Sequence, residues 1–248
     1  MTLMLGKLPP KVDARSLKLA NYLEPAKLPS LLPAVNWSNA CVQPFNMDGN
    51  DRIGDCVCAS LANFIQVITA NADGEFIVPE ADVLAMYEQV GHYVPGDPST
   101  DNGATELDGM NYLRQTGLGG VKADAFADVN YQNLDEVKMA TMLFGGCYIG
   151  ITVCQGDMDA FQAGNPWDTT YTPGNALGGH AVAILDYDAD GGNLYTWTKL
   201  QRFTWDWFKQ RVDESHALVM YAWVSSVGTA PSGLNLQQLE ADVTQVSA

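Results

Sequence analysis

A polar, turn-rich stretch, Gly49-Asn50-Asp51-Arg52-Ile53-Gly54-Asp55, runs straight into Cys56 and an apolar segment. This junction constrains the fold more than any other part of the chain. From Val57 the apolar residues Leu61, Phe64, Ile65, Val67 and Ile68 recur at three- and four-residue steps. That period predicts a helix over 56–72 with one buried face. Cys56 therefore stands at a helix N-terminus, where unpaired N–H groups and the dipole favour a thiolate. A thiolate is the form that attacks carbonyl carbon. The same position also suits a small buried hydrophobe, so this stretch alone leaves both roles open.

A second stretch, Gly178-Gly179-His180-Ala181-Val182-Ala183-Ile184-Leu185-Asp186-Tyr187, places a histidine at the start of a short apolar run after two glycines. Its length and boundaries predict a buried strand. A histidine at such a strand end can project into a cleft and serve as the base that a nucleophilic cysteine needs, brought close by the fold rather than by sequence.

Together these motifs resemble the papain-like cysteine peptidases. That family has a cysteine at the start of a long helix, preceded by glycine and one residue, as in Gly54-Asp55-Cys56. Its histidine opens a strand reading His-Ala-Val, as in His180-Ala181-Val182. Val35-Asn36-Trp37 is similar to the family's opening segment, Pro79 to Leu84 to its second helix, Asn102-Gly103 with Leu113 and Gly117 to its glycine-rich turn and third helix, and Tyr148 to Ile151 to the strand before the histidine. The resemblance covers roughly residues 33 to 225, in the family's order. It implies an α+β fold of two lobes, helical at about 50–130 and an antiparallel sheet at about 131–228. It also implies a peptide or protein substrate in the cleft between the lobes, attacked by Cys56 with His180 as base.

Several positions depart from the family pattern. Asn50 stands where the family has the glutamine that donates to the oxyanion. Val57 replaces the usual aromatic residue, and Ile53 replaces a common disulfide partner. The Asn-Ser-Trp run that orients the histidine is matched only by Tyr195-Thr196-Trp197, sixteen residues after His180. On the resemblance Thr196 orients the imidazole and Trp197 shields it. Trp167 and Tyr171, in a stretch without a clear period, are placed at the cleft rim as substrate-binding residues.

Composition narrows the partners. Acids outnumber bases by 29 to 13, a net charge of −16, which argues against nucleic acid and against an anionic membrane surface. The charge is polarised. Lys7, Lys11, Arg15, Lys18 and Lys27 against Asp13 and Glu24 make the first 34 residues net +3, leaving −19 for the rest. With Pro9-Pro10, Pro25, Pro29 and Pro33, residues 1–34 read as an extended basic arm. It would lie on its own acidic body, contact a neighbouring subunit, or hang loosely. It is far shorter than the helical inhibitory prosegment of the family. Five scattered cysteines do not make a disulfide framework. No signal peptide or transmembrane run is visible, so a soluble protein fits, cytoplasmic or packed in a virus particle.

Further helices are expected from Pro79 to about Val90, at Leu107 to Gly117, from Asn133 or Asp135 to Phe144, and as an insert near Trp205 to Phe208. Strands are expected at 147–154, 180–187, 193–200 and 216–224, with a loop at 155–179 and a polar tail over 229–248 holding a short helix at Leu236 to Val243. Asp186 to Gly191 starts like a calcium-binding loop, but Trp197 occupies the position needing a bidentate acid, so a hairpin turn is expected instead. Cys58, Cys147 and Cys154 read as core, and His92 and His216 as structural. A zinc site from Cys56, Cys58 and His180 is disfavoured by the Cys-x-Cys spacing, so no metal and no cofactor is expected. Two classes of function remain: a cysteine hydrolase of the peptidase or amidase type, or a papain-fold module without turnover used for binding or assembly, such as an accessory or decoration protein of a phage particle.

Overall fold

In the computed structural model, residues 3–11, 16–72, 74–227 and 231–246 are described. Asp13 and Arg15, counted in the charge of the arm, lie outside them, as does Gly228. Helix α1 (Cys56–Ala70) starts at the expected cysteine, but all of Cys56 to Thr69 is buried rather than one face. The reason is that neighbouring loops cover its polar side and satisfy it. The Asn63 amide donates to the Asn46 carbonyl, the Asp48 carboxylate and the Ala59 carbonyl. The Gln66 amide donates to the Gln43 carbonyl and Glu75, and the Thr69 hydroxyl to the Ile65 carbonyl. Buried polar groups persist only when partnered in this way.

Helices α2 (Glu80–Val90) and α3 (Glu106–Gln115) pack against α1. Pro79 caps α2 from just outside it, with Glu80 and Asp82 at the positive end of the helix. The Thr105 hydroxyl caps α3 by accepting from the Asp108 N–H. Strand β1 (Val35–Asn36) lies in the sheet, and β2 (Ala123–Asp128) was not foreseen in the sequence. Helix α4 (Leu134–Phe144) ends at Gly145, whose φ of +77° suits a left-handed C-cap.

The sheet is antiparallel throughout, with order β2-β7-β3-β4-β5-β6 and β1 paired to β4. Its members are β3 (Cys147–Cys154), β4 (Ala176–Tyr187), β5 (Gly191–Thr196), β6 (Lys199–Thr204) and β7 (Val212–Met220). α1 lies across β4, so the two motif-bearing elements pack directly on each other.

Three expectations are corrected. The expected loop at 155–179 opens with helix α5 (Gln155–Ala163), because Asp157 accepts from the Cys154 N–H at 2.7 Å and closes the first turn. The expected strand 193–200 is a hairpin, broken at Trp197 and Thr198, both at positive φ. The last strand runs 212–220 and gives way to helix α7 (Tyr221–Val227), so His216 sits inside it. Helix α6 (Trp205–Arg211) is the expected aromatic insert, and α8 (Leu236–Val246) the expected tail helix. Leu239 and Val243 of α8 and Leu19 and Tyr22 of the arm belong to the same apolar core. No helix among the described residues is long and apolar enough to cross a membrane.

Behind the sheet lobe, Asp157 also takes the Trp207 indole N–H at 2.8 Å and the Arg211 guanidinium at 2.9 Å, all buried. Removing one partner of such a pair leaves the other charge without compensation. Asp157→Ala should therefore lower unfolding free energy by about 3–5 kcal/mol, read by urea denaturation. Adding Arg211→Met should recover part of that loss.

Candidate active site

Cys56 and His180 line one small cavity, together with Asn50, Thr196 and Trp197. His180 is the fifth residue of β4, since that strand starts earlier than the sequence suggests. Its Nε2 is 2.7 Å from the Thr196 hydroxyl oxygen. Its Nδ1 has no hydrogen-bond partner among the described residues. The Trp197 ring stacks on the imidazole at 4.4 Å between centroids, 15° from parallel. This placement depends on the β5–β6 turn. Trp197 (φ +44°) and Thr198 (φ +67°) form a two-residue loop between the paired residues Thr196 and Lys199. Positive φ at both positions is the type I′ hairpin turn, commonly formed by Asn-Gly. A tryptophan and a β-branched residue there carry strain on the order of 1–3 kcal/mol each. What the strain obtains is a hydroxyl and an indole set against His180.

The other predicted site residues are placed differently. Asn50 is buried beside Cys56, but its amide donates to the Ile53 carbonyl at 3.3 Å, within its own loop. Trp167 does not line a groove. It is fully buried, donates to the Asp157 carbonyl at 2.7 Å and stacks on Trp207, because α5 folds under it. Tyr171 is half-buried, and its hydroxyl accepts from the Asn165 amide. Cys58 is fully buried, and all five cysteines are free thiols.

The cleft is filled from within the chain. The N-terminal arm lies on its own chain and threads between the lobes. The Met4 N–H donates to the Asn50 carbonyl (3.1 Å), Lys7 N–H to Gly179 (3.1 Å), Leu8 N–H to Ala104 (2.9 Å), and Ala104 N–H to Gly6 (2.9 Å). Glycines make this approach possible. A Cβ on Gly6 would stand 1.8 Å from the Gly54 carbonyl oxygen, and one on Gly179 would stand 2.3 Å from that of Lys7. The Gly54 and Gly103 side of the cleft is fixed from behind: Asp101 accepts from the Gly54 N–H (3.0 Å) and the Tyr87 hydroxyl (2.6 Å), which in turn accepts from the Gly103 N–H (3.0 Å). With the arm in place, the cavity at Cys56 and His180 measures about 10 Å³, roughly the minimum for one water.

Lys7 ties the arm down. Its stem crosses β3 at Gly150, where a Cβ would lie 1.9 Å from Lys7 Cε. Its buried ammonium contacts Glu214 (2.8 Å) and Asp213 (2.9 Å). Burial pulls the Lys7 pKa down, but Glu106 and Glu214 outweigh it, so the net shift is upward. Beyond Glu214 stand His216 and the fully buried Glu106.

Burial also dominates the electrostatics of the pair. It pushes the Cys56 thiol up to about 12, although the N–H groups of Ala181 and Gly6 favour the thiolate. It pushes His180 down to about 3. With the arm in place the pair is a neutral thiol beside a neutral imidazole. The helix N-terminus expected to acidify Cys56 is outweighed, and Asp55 next to it adds to the upward shift.

No family model matches this chain, and no curated protein matches it by sequence. Solved structures do. Xylellain, a cysteine protease from Xylella fastidiosa, superposes with a TM-score of 0.70 at 18% identity, covering 88% of this chain and 96% of that one. The Carica candamarcensis cysteine protease CMS1MS2, solved with E-64, gives 0.56 at 16% identity over 76% and 98%. The cysteine protease and lectin-like domains of Cwp84 from Clostridium difficile give 0.61 at 13% identity over 89% and 56%. The chain thus has the papain-like fold, in divergent sequence.

The acids beside the site set a pH dependence. Burial raises Asp48 to about 7 and Asp55 to about 8, the latter against the pull of the Asn50 amide. Both lie above the unfolded value of about 3.9, so the folded chain holds more protons between the two limits. Their contribution to stability is present at low pH and lost as pH rises from about 4 to about 8. Asp55→Asn should therefore gain stability relative to wild type as pH goes from 5 to 8, by on the order of 2 kcal/mol, measured by urea melts across that range.

Proposed function

We propose that this protein is a cysteine hydrolase of the peptidase or amidase type, held latent by its own N-terminal arm. The observation that supports this most is the His180 geometry: Nε2 against Thr196, the Trp197 ring on one face, and Nδ1 without a partner in the cavity that Cys56 shares. An Nε2–H tautomer donating to Thr196 leaves Nδ1 as the base. With the arm withdrawn and water admitted, Nδ1 takes the thiol proton. The Cys56 sulfur then attacks an acyl carbonyl, and the proton passes from His180 to the leaving group. The Cys56 backbone N–H, at the start of α1, faces the developing oxyanion. The Asn50 amide joins it on turning from Ile53. One such donor is worth a factor on the order of 100 to 1000. An extended peptide would take the backbone positions at Ala104 and Gly179 that Gly6, Lys7 and Leu8 now hold.

The reading as a silent papain-fold module has one observation in its favour: with the arm in place Cys56 is buried and Asn50 donates within its own loop. Gly6→Leu separates the two readings. Its side chain cannot sit against Gly54, so it expels the arm without touching Cys56 or His180. Iodoacetamide labelling of Cys56, located by mass spectrometry between pH 4 and 9, should be slow at every pH in wild type. In Gly6→Leu it should rise at least about tenfold below pH 7, where an unperturbed thiol (pKa about 8.5) is mostly protonated. His180→Ala added to Gly6→Leu should abolish that gain. An ordinary thiol profile near pH 8.5 in Gly6→Leu would reject the hydrolase reading.

A further inference from the structure

The cluster beneath Lys7 has the form of a metal site. We propose that Glu106, Glu214 and His216 form a divalent-cation site for zinc or a metal of similar preference, which the Lys7 ammonium guards. The three residues come from α3 and β7, and their ligand atoms lie within 4.8 Å of one another. His216 Nε2 is 3.3 Å from Glu214 Oε2 and 3.4 Å from Glu106 Oε2. A tetrahedral ion with bonds of about 2.0–2.2 Å has ligand–ligand edges of about 3.3–3.6 Å, so two of the three edges already have that length. The third, between the two carboxylates, is no longer than 4.8 Å.

Three further observations point to a ligand. Glu106 is fully buried, and neither of its carboxylate oxygens has a hydrogen-bond partner among the described residues. The nitrogen nearest to it is His216 Nε2, which releases its proton to solvent when a metal takes its place. His216 Nδ1 is 3.0 Å from Asp128 Oδ1, the outer carboxylate that commonly orients a metal-binding imidazole and presents its other nitrogen. A cavity of about 390 Å³, lined by Asp128, Tyr131, Glu214 and His216 among others, gives an approach. The donor set of one imidazole and two carboxylates suits zinc and its neighbours better than calcium, which takes six or more oxygens.

Lys7 lies on Glu214 Oε1, while His216 faces Oε2. The ammonium and the cation therefore compete for one carboxylate. The inference concerns binding alone and stands or falls apart from the hydrolase reading.

The test uses the full chain carrying Cys56→Ser, which removes the cleft thiol as a ligand. It is titrated with Co²⁺, followed by its visible absorption, and then with Zn²⁺ as competitor. One Co²⁺ per chain should bind with four-coordinate bands and no thiolate charge transfer, and Zn²⁺ should displace it. Lys7→Met should tighten binding about tenfold or more by removing the competing charge. Asp128→Asn should weaken it about 10- to 100-fold, and Glu106→Gln by more, with circular dichroism confirming the fold. Should Glu106→Gln fail to fold, the partly exposed Asp128→Asn carries the test. Absence of saturable binding both with and without Lys7→Met would overturn the proposal, as would binding that Asp128→Asn leaves unchanged.

Discussion

A buried ammonium must be paired, and the pairing of Lys7 with Glu214 and Asp213 is the contact on which the closed cleft depends. Around it, backbone hydrogen bonds at Met4, Gly6, Lys7 and Leu8, a bed of glycines, and Leu3 and Leu5 packed on the core hold this segment in place, with Lys11 paired to Asp108 beyond it. Because Lys7 reaches past Gly150 to β7, the arm ties the α1 side of the cleft to the sheet side. In the latent state we propose, the desolvation of Cys56 and His180 follows from that tie.

Desolvation then decides the chemistry. A helix N-terminus stabilises a thiolate by electrostatics worth about 0.3–1 kcal/mol, up to about 2 in buried geometries. Taking a charge out of water costs several kcal/mol. The second effect wins here, so the closed pair is neutral although Cys56 stands at a helix N-terminus. The same reasoning accounts for Asp48 and Asp55, buried carboxyls that favour the proton in a chain of high negative charge. The strained Trp197-Thr198 turn works in the opposite direction, since it fixes the imidazole for use.

Much of this was legible in the sequence. The three- and four-residue period starting at Cys56 gave α1, and the short apolar runs gave β3 and β4, because apolar periodicity reports directly on burial. The order of Cys56 and His180 pointed to the fold, and the resemblance drew attention to Thr196 and Trp197, whose hydroxyl and ring lie against His180. What was illegible depended on distant contacts. Ala123–Asp128 carries no β-branched residue, and becomes a strand by pairing with β7. Gln155–Ala163 is rich in polar residues, though Asp157 three residues after Cys154, with Gly164 beyond, was a readable start and stop signal. The Trp197-Thr198 turn lacks the glycine or asparagine that marks such loops. Trp167 reads as a rim residue in the sequence because the helix beneath it carries no clear apolar period. Lys7 counted only as arm charge, since its partners lie some 200 residues away.

On our proposal the arm keeps the Cys56–His180 pair dry and uncharged. The most direct test is the imidazole itself, followed by NMR of ring-labelled histidine across pH 3 to 8 and assigned through His180→Ala. The account predicts that His180 stays neutral down to about pH 4 in wild type, consistent with its depression to about 3, and gains its proton at markedly higher pH once Gly6→Leu has displaced the arm. A wild-type His180 that titrates near the ordinary value of about 6.5, unchanged by Gly6→Leu, would contradict it.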